Sequence, residues 1–471
     1  MKITDTKVLL IVLPYYEQIF NKSTVKAVVS KGIILLGLAT VAAPLRKQGI
    51  KVKIIDLNLE MNPESILNKE LKEFSPDYIG ISITTPLFEL AKFYAKIIKS
   101  QLKDVILIAG GPHPTVLPED FLKETDFDIV VRGEGDETIS EIVRGVKLED
   151  IKGVSYKMNG KFFSNSKREL VSQLDNLDLP ALDLYEIERY VHPRFMARRN
   201  PVASIETSRG CFGRCSFCNK SIFEAKYRMK SPERVIEEMQ YTLSLGFREI
   251  HIIDDLFTGE LNRAKTICEM IIRRGIDLTW YPRGGLRVDR LDKELFALMK
   301  KSGCYRIPLG IESGNQQVLD KMNKMTTLDQ ARRAVHMAKD AGLEVEGYFM
   351  LGLPGETDKT IKDTLNFSLS LDLDYAKYAI TVPLPGTPLF EEWDNAGYIK
   401  THDWTKYNFA VSARELYNHP TVSWQLIEKY YRLAPRKFYW RPEFIARRFL
   451  KSIRTGTLWD DVKTAIKVKW F

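Results

Sequence analysis

Short apolar runs and amphipathic stretches alternate along almost the whole chain. Between residues 1 and 150 the runs are continuous: VLLIVLP (8–14), VKIIDLN (52–58), YIGISITT (78–85), VILIAGG (105–111) and DIVVRGEG (128–135). Gly, Pro, Asn or Thr ends each run, and helix-like segments lie between several of them. Unbroken apolar runs of this length mark strands buried on both faces. They predict an open, doubly wound parallel α/β sheet, whose ligands bind beyond the carboxyl ends of the strands. No GxGxxG follows the first strand, which disfavours a nicotinamide dinucleotide.

The pattern then changes. GVSYKMNGKFF (153–163) alternates about Asn159-Gly160, a strong hairpin signal. From 230 to 390, helical and strand patterns take turns. Pro232–Leu245 is amphipathic behind the N-cap residue Ser231. The short runs EIHIID (249–254), LTWYPRG (278–284), YRIPLGIES (305–313), EVEGYFMLGLP (344–354) and YAKYAITVPLP (375–385) are separated by helix-like segments such as 291–302, 326–342 and 357–371. With a strand at 202–207 this makes six βα units, a partial (β/α)6 barrel with its functional face at the strand carboxyl ends. The expected division is 1–148, the sheet domain; 149–196, a linker with the hairpin; 197–405, the barrel; and 406–471, a helical tail.

Charge sharpens the last segment. The chain of 471 residues holds 70 Lys and Arg against 61 Asp and Glu, a net of +9. Residues 421–471 carry 12 basic and 4 acidic residues, which leaves 58 and 57 for the rest. The excess belongs to a tail that also holds 11 aromatics, Trp424, Tyr430, Tyr431, Phe438, Tyr439, Trp440, Phe444, Phe449, Trp459, Trp470 and Phe471. Aromatics interleaved with Arg436, Lys437, Arg441, Arg447, Arg448, Lys451 and Arg454 suit a lid on the barrel, a membrane-surface helix or a nucleic-acid platform. No run of about 20 apolar residues exists, so no spanning helix is expected. MKITDTKVLLIVLPYYEQ lacks the long apolar core and cleavage site of a signal peptide. The expectation is a cytoplasmic protein, free or peripheral on the cytoplasmic face of the membrane.

All five cysteines fall between 211 and 304. ETSRGCFGRCSFCNKS packs Cys211, Cys215 and Cys218 into C-x3-C-x2-C on a glycine-bearing loop. Three soft thiolates suit zinc, copper(I) or an iron–sulfur cluster. A closed zinc site wants four ligands, and neither His192 nor His251 stands at a zinc-finger spacing. Three cysteines on a four-iron cluster leave one iron open to a substrate or cofactor. Cys268 lies in an amphipathic helix and reads as a core thiol; Cys304, at a strand entrance, reads as buried too, with a catalytic thiol as the alternative.

This loop, following a strand and with Phe217 just before the third cysteine, resembles the radical S-adenosylmethionine (SAM) superfamily. The resemblance implies that Cys211, Cys215 and Cys218 ligate three irons of a [4Fe-4S] cluster. The fourth iron then chelates SAM, which is cleaved reductively to a 5′-deoxyadenosyl radical. Further segments in the same order carry the likeness: Asp254-Asp255 in DDLFT, near the SAM amino group; RGGLRVDRLD, with Arg287 near the ribose or carboxylate; GIESG, with Glu312 as ribose acid and Ser313 beside it; FMLGLPGET; and VPLPGTPLF.

The first 150 residues resemble the cobalamin-binding domain found ahead of such barrels. Ser82, Thr84 and Thr85, then Gly110 and Gly111 with His113, then Gly133 and Glu134 carry that resemblance. Small residues and hydroxyls at strand ends let a nucleotide tail lie against the sheet. The better-known DxHxxG histidine is missing, since the first His of the chain is His113. The implied cofactors are therefore a [4Fe-4S] cluster, SAM, and cobalamin without that histidine ligand. The family resembled is that of cobalamin-dependent radical SAM methyltransferases and of the related lipid- and tetrapyrrole-modifying cyclases. It implies C-methylation of a hydrophobic, lipid-like substrate, with ring formation or oxidative cyclisation as the alternative and flavodoxin or ferredoxin as the reductant. An RNA-modifying methylthiotransferase would carry cysteines for a second cluster, and residues 1–210 hold none.

Overall fold

The computed structural model describes residues 5–15, 32–408, 411–456, 458–459 and 462. Seven strands form the first sheet: β1 (Lys7–Val12), β2 (Lys51–Asp56), β3 (Tyr78–Ser82), β4 (Ile106–Gly110), β5 (Ile129–Val131), β6 (Val154–Met158) and β7 (Lys161–Ser164), in the order β2-β1-β3-β4-β5-β6-β7. The first five are parallel. Alternate residues of β1 feed two separate cores, Val8, Leu10 and Val12 on one face and Leu9 and Ile11 on the other. That two-sided burial is why the run is unbroken in sequence. Helix Leu36–Lys47 covers one face, and helices Pro63–Phe74 and Phe88–Gln101 the other.

The hairpin departs from expectation. β6 pairs antiparallel with β5, and β7 with β6, so the sheet is mixed and the hairpin completes it instead of lying in a linker. Its turn matches the sequence signal, with φ of 52° at Asn159 and 72° at Gly160.

The second unit has six further parallel strands in two groups of three. β8 (Val202–Ile205), β11 (Glu249–Ile252) and β12 (Thr279–Pro282) form one; β13 (Arg306–Glu312), β14 (Glu344–Leu351) and β15 (Tyr375–Ile380) the other. Parallel bridges Trp280–Cys304 and Leu286–Leu309 join the groups, giving the partial barrel. A two-residue pair, β9 (Ser208–Arg209) with β10 (Arg228–Met229), closes the base of the cysteine loop. Outer helices start at real caps: Ser231 Oγ accepts from Arg234 N at 3.1 Å, and Thr327 and Thr357 form capping boxes. Trp280, Phe296 and Phe349 fill the layer between strands and helices, each adding roughly 1.5–3 kcal/mol by burial.

The chain then returns to the first unit. Trp393, Trp404 and Tyr417 pack in the same core as Leu9 and Ile11. Helix Trp424–Tyr439 buries Ile427, Tyr430, Ala434 and Phe438 on the barrel, so this half of the tail is cover for the core. Helix Pro442–Thr455 follows; Trp470 and Phe471 lie outside the described residues.

Candidate active site

The cysteine loop leaves β8 through Glu206 and Thr207, and its backbone is held tightly. Gly210 has φ +80°, and a Cβ there would lie 2.2 Å from Lys226 O, so the loop's first turn requires glycine. Ser216 N donates to Met322 O at 3.0 Å, and Asn219 Nδ2 to Pro385 O at 3.0 Å. Cys211 is half-buried, Cys215 buried and Cys218 exposed. Phe217 is partly buried against Val318, Leu319, Met322 and Leu353.

Cations face the thiols. A Cβ on Gly213 would stand 3.3 Å from Cys211 Sγ and 3.1 Å from Arg287 Nη1. Burial works against the charge of Arg287, but Asp289 and the thiols of Cys215 and Cys211 outweigh it. Burial likewise opposes the Lys324 ammonium, and Glu312 and Cys215 outweigh it. Although Cys218 is exposed as a residue, the protein packed around its sulfur pushes the thiol up to about 11, and Cys215 and Asp255 add to the rise. Metal binding must therefore displace its proton. Among the described residues no three Cys, His, Asp or Glu side chains stand ready to hold one metal ion. A four-iron cluster does not ask for that, because each thiolate takes a different iron. Three thiols of one loop beside two buried cations fit an anionic cluster with one open iron. His251 is elsewhere, bonded through Nε2 to Glu249 Oε1 at 2.9 Å and packed against His192.

The strand ends around this loop divide into two kinds. Asp254 is buried and fully engaged: Thr207 N and Oγ1 donate to it at 2.6 and 2.5 Å, and Ser208 Oγ at 2.7 Å. Burial pushes its carboxyl up to about 6. Asp254 thus ties β11 to the start of the cysteine loop, while its neighbour Asp255 is exposed to the open end of the barrel. Ser313 also turns inward, its Oγ 3.1 Å from Thr364 Oγ1. Gly314 beside it must be glycine, since a Cβ would lie 2.4 Å from that of Phe367. Glu312 sits at φ +65°, a costly conformation for a side-chain-bearing residue, and accepts from Lys324 Nζ at 2.7 Å. Arg287 donates to Asp289 at 3.0 and 3.1 Å and to Lys324 O at 3.0 Å. Asp255, Arg287 and Glu312, with Lys324, surround the thiols; Asp254 and Ser313 hold the frame behind them. Lys324 stands in the segment after GIESG, twelve residues beyond Glu312, and nothing in the sequence marks it as the partner of that acid.

The first sheet presents its own opening. A cavity of about 290 Å³ lies at the carboxyl ends of its strands, lined by Ser82, Gly110, Gly111, Gly133 and Glu134 and, from the barrel, by Glu206 and Arg209. A Cβ on Gly110 would meet nothing within 4 Å, whereas one on Gly111 would lie 2.8 Å from Ile83 N. The first glycine leaves open space and the second permits the turn, which fits the nucleotide tail of a cobalamin. Other expected contacts are not in its lining. Thr84 is exposed, and Thr85 bonds His113 Nδ1 at 3.1 Å. His113 is caged by Phe88, Phe121 and Trp404, and burial lowers its pKa to about 4, so it is a neutral core histidine. Glu134 borders the cavity with both oxygens occupied, Oε1 by Arg209 at 2.7 Å and Oε2 by Val171 N at 2.7 Å.

Comparison with known proteins agrees with this geometry. The radical SAM superfamily model matches residues 205–368, and the B12 binding domain model residues 23–143. An uncharacterised methyltransferase of Pyrococcus horikoshii is 36% identical over 446 residues, covering 93% of this chain and 94% of that protein. The anaerobic magnesium-protoporphyrin IX monomethyl ester cyclase of Rubrivivax gelatinosus is 28% identical over 74% of this chain and 63% of its own length. The structure of OxsB, a cobalamin-dependent SAM radical enzyme with aqua-cobalamin bound, shares the fold with a TM-score of 0.72 at 21% identity, covering 93% of this chain and 67% of that one. With its cysteine loop, its strand-end cavity and a relative matched along nearly its whole length, the chain belongs to the radical SAM superfamily, among the members that carry a B12-binding domain ahead of the radical SAM domain.

Proposed function

We propose that this chain methylates an unactivated carbon of a hydrophobic, lipid-like substrate. The observation that carries the reading is the cavity itself: one wall is the glycine cradle of the first sheet, and the other is Glu206 and Arg209, which lead directly into the cysteine loop. A cofactor seated there adjoins the cluster site. When bound, the cluster supplies the electron that cleaves SAM, and cobalamin supplies the methyl group. In this reading Cys211, Cys215 and Cys218 hold the cluster, Asp255, Glu312 and Arg287 orient SAM, and Ser82, Gly110, Gly111 and Gly133 seat the cobalamin tail. Asp254 and Ser313 position the loops. The electron comes from a flavodoxin- or ferredoxin-like reductant.

Among the described residues no helix is long and apolar enough to cross a membrane. A peripheral docking role for the tail is supported by helix Pro442–Thr455, where Ile445, Phe449 and Ile453 form an exposed stripe at a spacing of four. Ring formation is the second reading, favoured by the likeness to the cyclase.

Anaerobic reconstitution with iron, sulfide and cobalamin, followed by turnover with methyl-labelled SAM and a lipid extract, separates these readings. Label in a lipid carbon supports methyl transfer. Deoxyadenosine without label transfer supports ring formation. Absence of SAM cleavage under a strong reductant overturns both, and Cys215→Ala is expected to abolish cleavage.

A further inference from the structure

The cysteine loop shows solvent a face of its own. At Gly213 it packs on Arg287, whose Nη1 would stand 3.1 Å from a Cβ there, while the neighbours Phe212 and Arg214 are exposed. Arg290, also exposed, holds its guanidinium 5.0 Å from the centre of the Phe212 ring, and the edge of that ring meets Tyr227.

Residues 322–326 lie alongside. Ser216 N donates to Met322 O at 3.0 Å, Arg287 Nη2 to Lys324 O at 3.0 Å and Gln316 Nε2 to Thr326 O at 3.0 Å. The Arg287 guanidinium thus bridges the two segments, with Gly213 against one nitrogen and the Lys324 carbonyl on another. Met322, Lys324 and Thr326 are buried, and Met325 is 67% exposed at φ +57°. That backbone conformation is costly for a side-chain-bearing residue, and here it holds an apolar side chain out in water. The tethers on either side keep it there.

The outer cations have no counter-charge. Among the described residues Arg214 and Arg290 make no ion pair. The acids next to Arg290 in sequence are taken, Asp289 by Arg287 at 3.0 and 3.1 Å and Asp292 by Lys265 at 2.7 Å.

We propose that Phe212, Met325, Arg214 and Arg290 form the docking surface for a small acidic electron-transfer protein. The partner's role as donor rests on the proposed function: the reduced carrier loses one electron, the cluster gains it, and no atom moves between them. Three features select this occupant. The surface is built on the backbone that holds the cysteines, so little more than the loop itself separates a seated carrier from the cluster site. Unpaired cations at a rim steer an acidic partner and make its arrival sensitive to salt. The apolar centre is only two side chains wide, which suits the small, transient interfaces of electron transfer, under roughly 1,200 Å² in total, and not a permanent subunit contact.

The test uses the reconstituted holoenzyme, with acidic ferredoxin and flavodoxin as separate probes. Fluorescence anisotropy reads carrier binding, and stopped-flow bleaching of the cluster's visible absorption reads electron arrival. Arg214→Glu with Arg290→Glu is expected to weaken binding and slow bleaching tenfold or more for at least one carrier, and to flatten the dependence on salt. Arg214→Lys with Arg290→Lys keeps most of the rate, and the distant surface variant Lys437→Glu keeps all of it. Dithionite reduces every variant equally, and SAM binding measured by calorimetry is unchanged. Equal carrier binding and bleaching in wild type and the charge reversal, or wild-type rates indifferent to salt, overturn the docking surface. Loss of SAM binding in the reversal assigns the arginines to SAM and overturns it as well. Should iron content show that the reversal loses its cluster, Arg214→Gln with Arg290→Gln and the salt dependence of wild type decide by the same criteria. A wild-type cluster that dithionite cannot reduce overturns the radical SAM reading and the donor with it, a result distinct from a cluster that dithionite reduces and that is blind to the charge reversal.

Discussion

Glu356 is wholly buried, and its two oxygens fare differently. Oε2 accepts from Gly352 N at 2.6 Å and Leu353 N at 3.1 Å, while Oε1 has no partner among the described residues. Burial pushes its carboxyl up to about 7, and the two backbone donors only partly offset this. The unfolded chain holds that proton with a pKa of about 4.3. The folded state thus binds it more tightly, and the stability it confers is complete below about pH 4.3 and lost as pH rises through about 7. Glu356→Gln keeps the acceptor for both backbone N–H groups and cannot ionise. The stability of wild type relative to Glu356→Gln should fall between pH 5 and 8.5, by up to about 3 kcal/mol. Melting curves for the two proteins that run parallel across that range would remove the argument. At this scale residue types were legible in sequence but side-chain directions were not. Asp254 and Asp255 adjoin in DDLFT, yet one is sealed under Thr207 and Ser208 and the other faces the opening. Ser313 turns to Thr364, and Glu134 borders the cavity while Arg209 and Val171 N hold its oxygens. An acid or hydroxyl in a strand-end motif has equal chemistry whether it turns to the ligand or to the loop that holds the ligand.

Strands were the most legible elements, because burial on both faces writes an unbroken apolar run. The run at 8–14 contains most of β1 (Lys7–Val12), and Asn159-Gly160 marks the turn between β6 and β7. What the hairpin paired with was not legible, since its partner β5 is 23 residues earlier and backbone pairing carries no side-chain signature. Helix Pro442–Thr455 shows the limit for helices. Its bases turn toward the barrel: Arg447 pairs with Asp372, Arg448 Nη1 donates to Tyr375 OH at 2.8 Å, and Lys451 pairs with Glu344 and Asp374. The apolar residues are left outside, Ile445 50% exposed, Phe449 52% and Ile453 54%. A helical periodicity gives the stripe but not which face meets the protein. Since these bases are already engaged, membrane docking would rest on the apolar stripe more than on charge. Flotation with neutral phosphatidylcholine vesicles should recover wild type, and Phe449→Glu with Ile453→Glu should abolish recovery while leaving the melting temperature within about 2 °C. Recovery that requires anionic lipid and ignores the double variant would put the contact elsewhere in the tail.

The two units are joined by charge as well as by chain. Arg209, two residues before Cys211, is 5% exposed and reaches across to Glu134 at 2.7 Å and to Asp136 at 2.9 and 3.1 Å, while its Nε donates to Glu206 at 2.7 Å. Arg228 of β10 takes Glu134 at 3.0 Å, and the ring of Phe223 lies under both guanidinium groups, 5.7 and 5.8 Å away. Apolar contact alone would let the sheet slide on the barrel. Buried charges cannot slide without losing partners, so the network fixes the strand-end cavity relative to the cysteine loop. Sequence showed the pieces, RGEGDE and TSRGC, but not their meeting, because 73 residues separate Asp136 from Arg209. Among the described residues Asp136 has no other ion-pair partner. Arg209→Met alone should therefore cost about 3–5 kcal/mol by leaving a buried carboxylate unpaired, and adding Asp136→Asn should recover much of that loss. A double-mutant cycle by urea unfolding reads the coupling, expected at 1 kcal/mol or more, and strictly additive losses would remove the clamp. Cobalamin retention on gel filtration should not recover in the double variant, because stability returns when the charge is removed and the alignment of the two units does not.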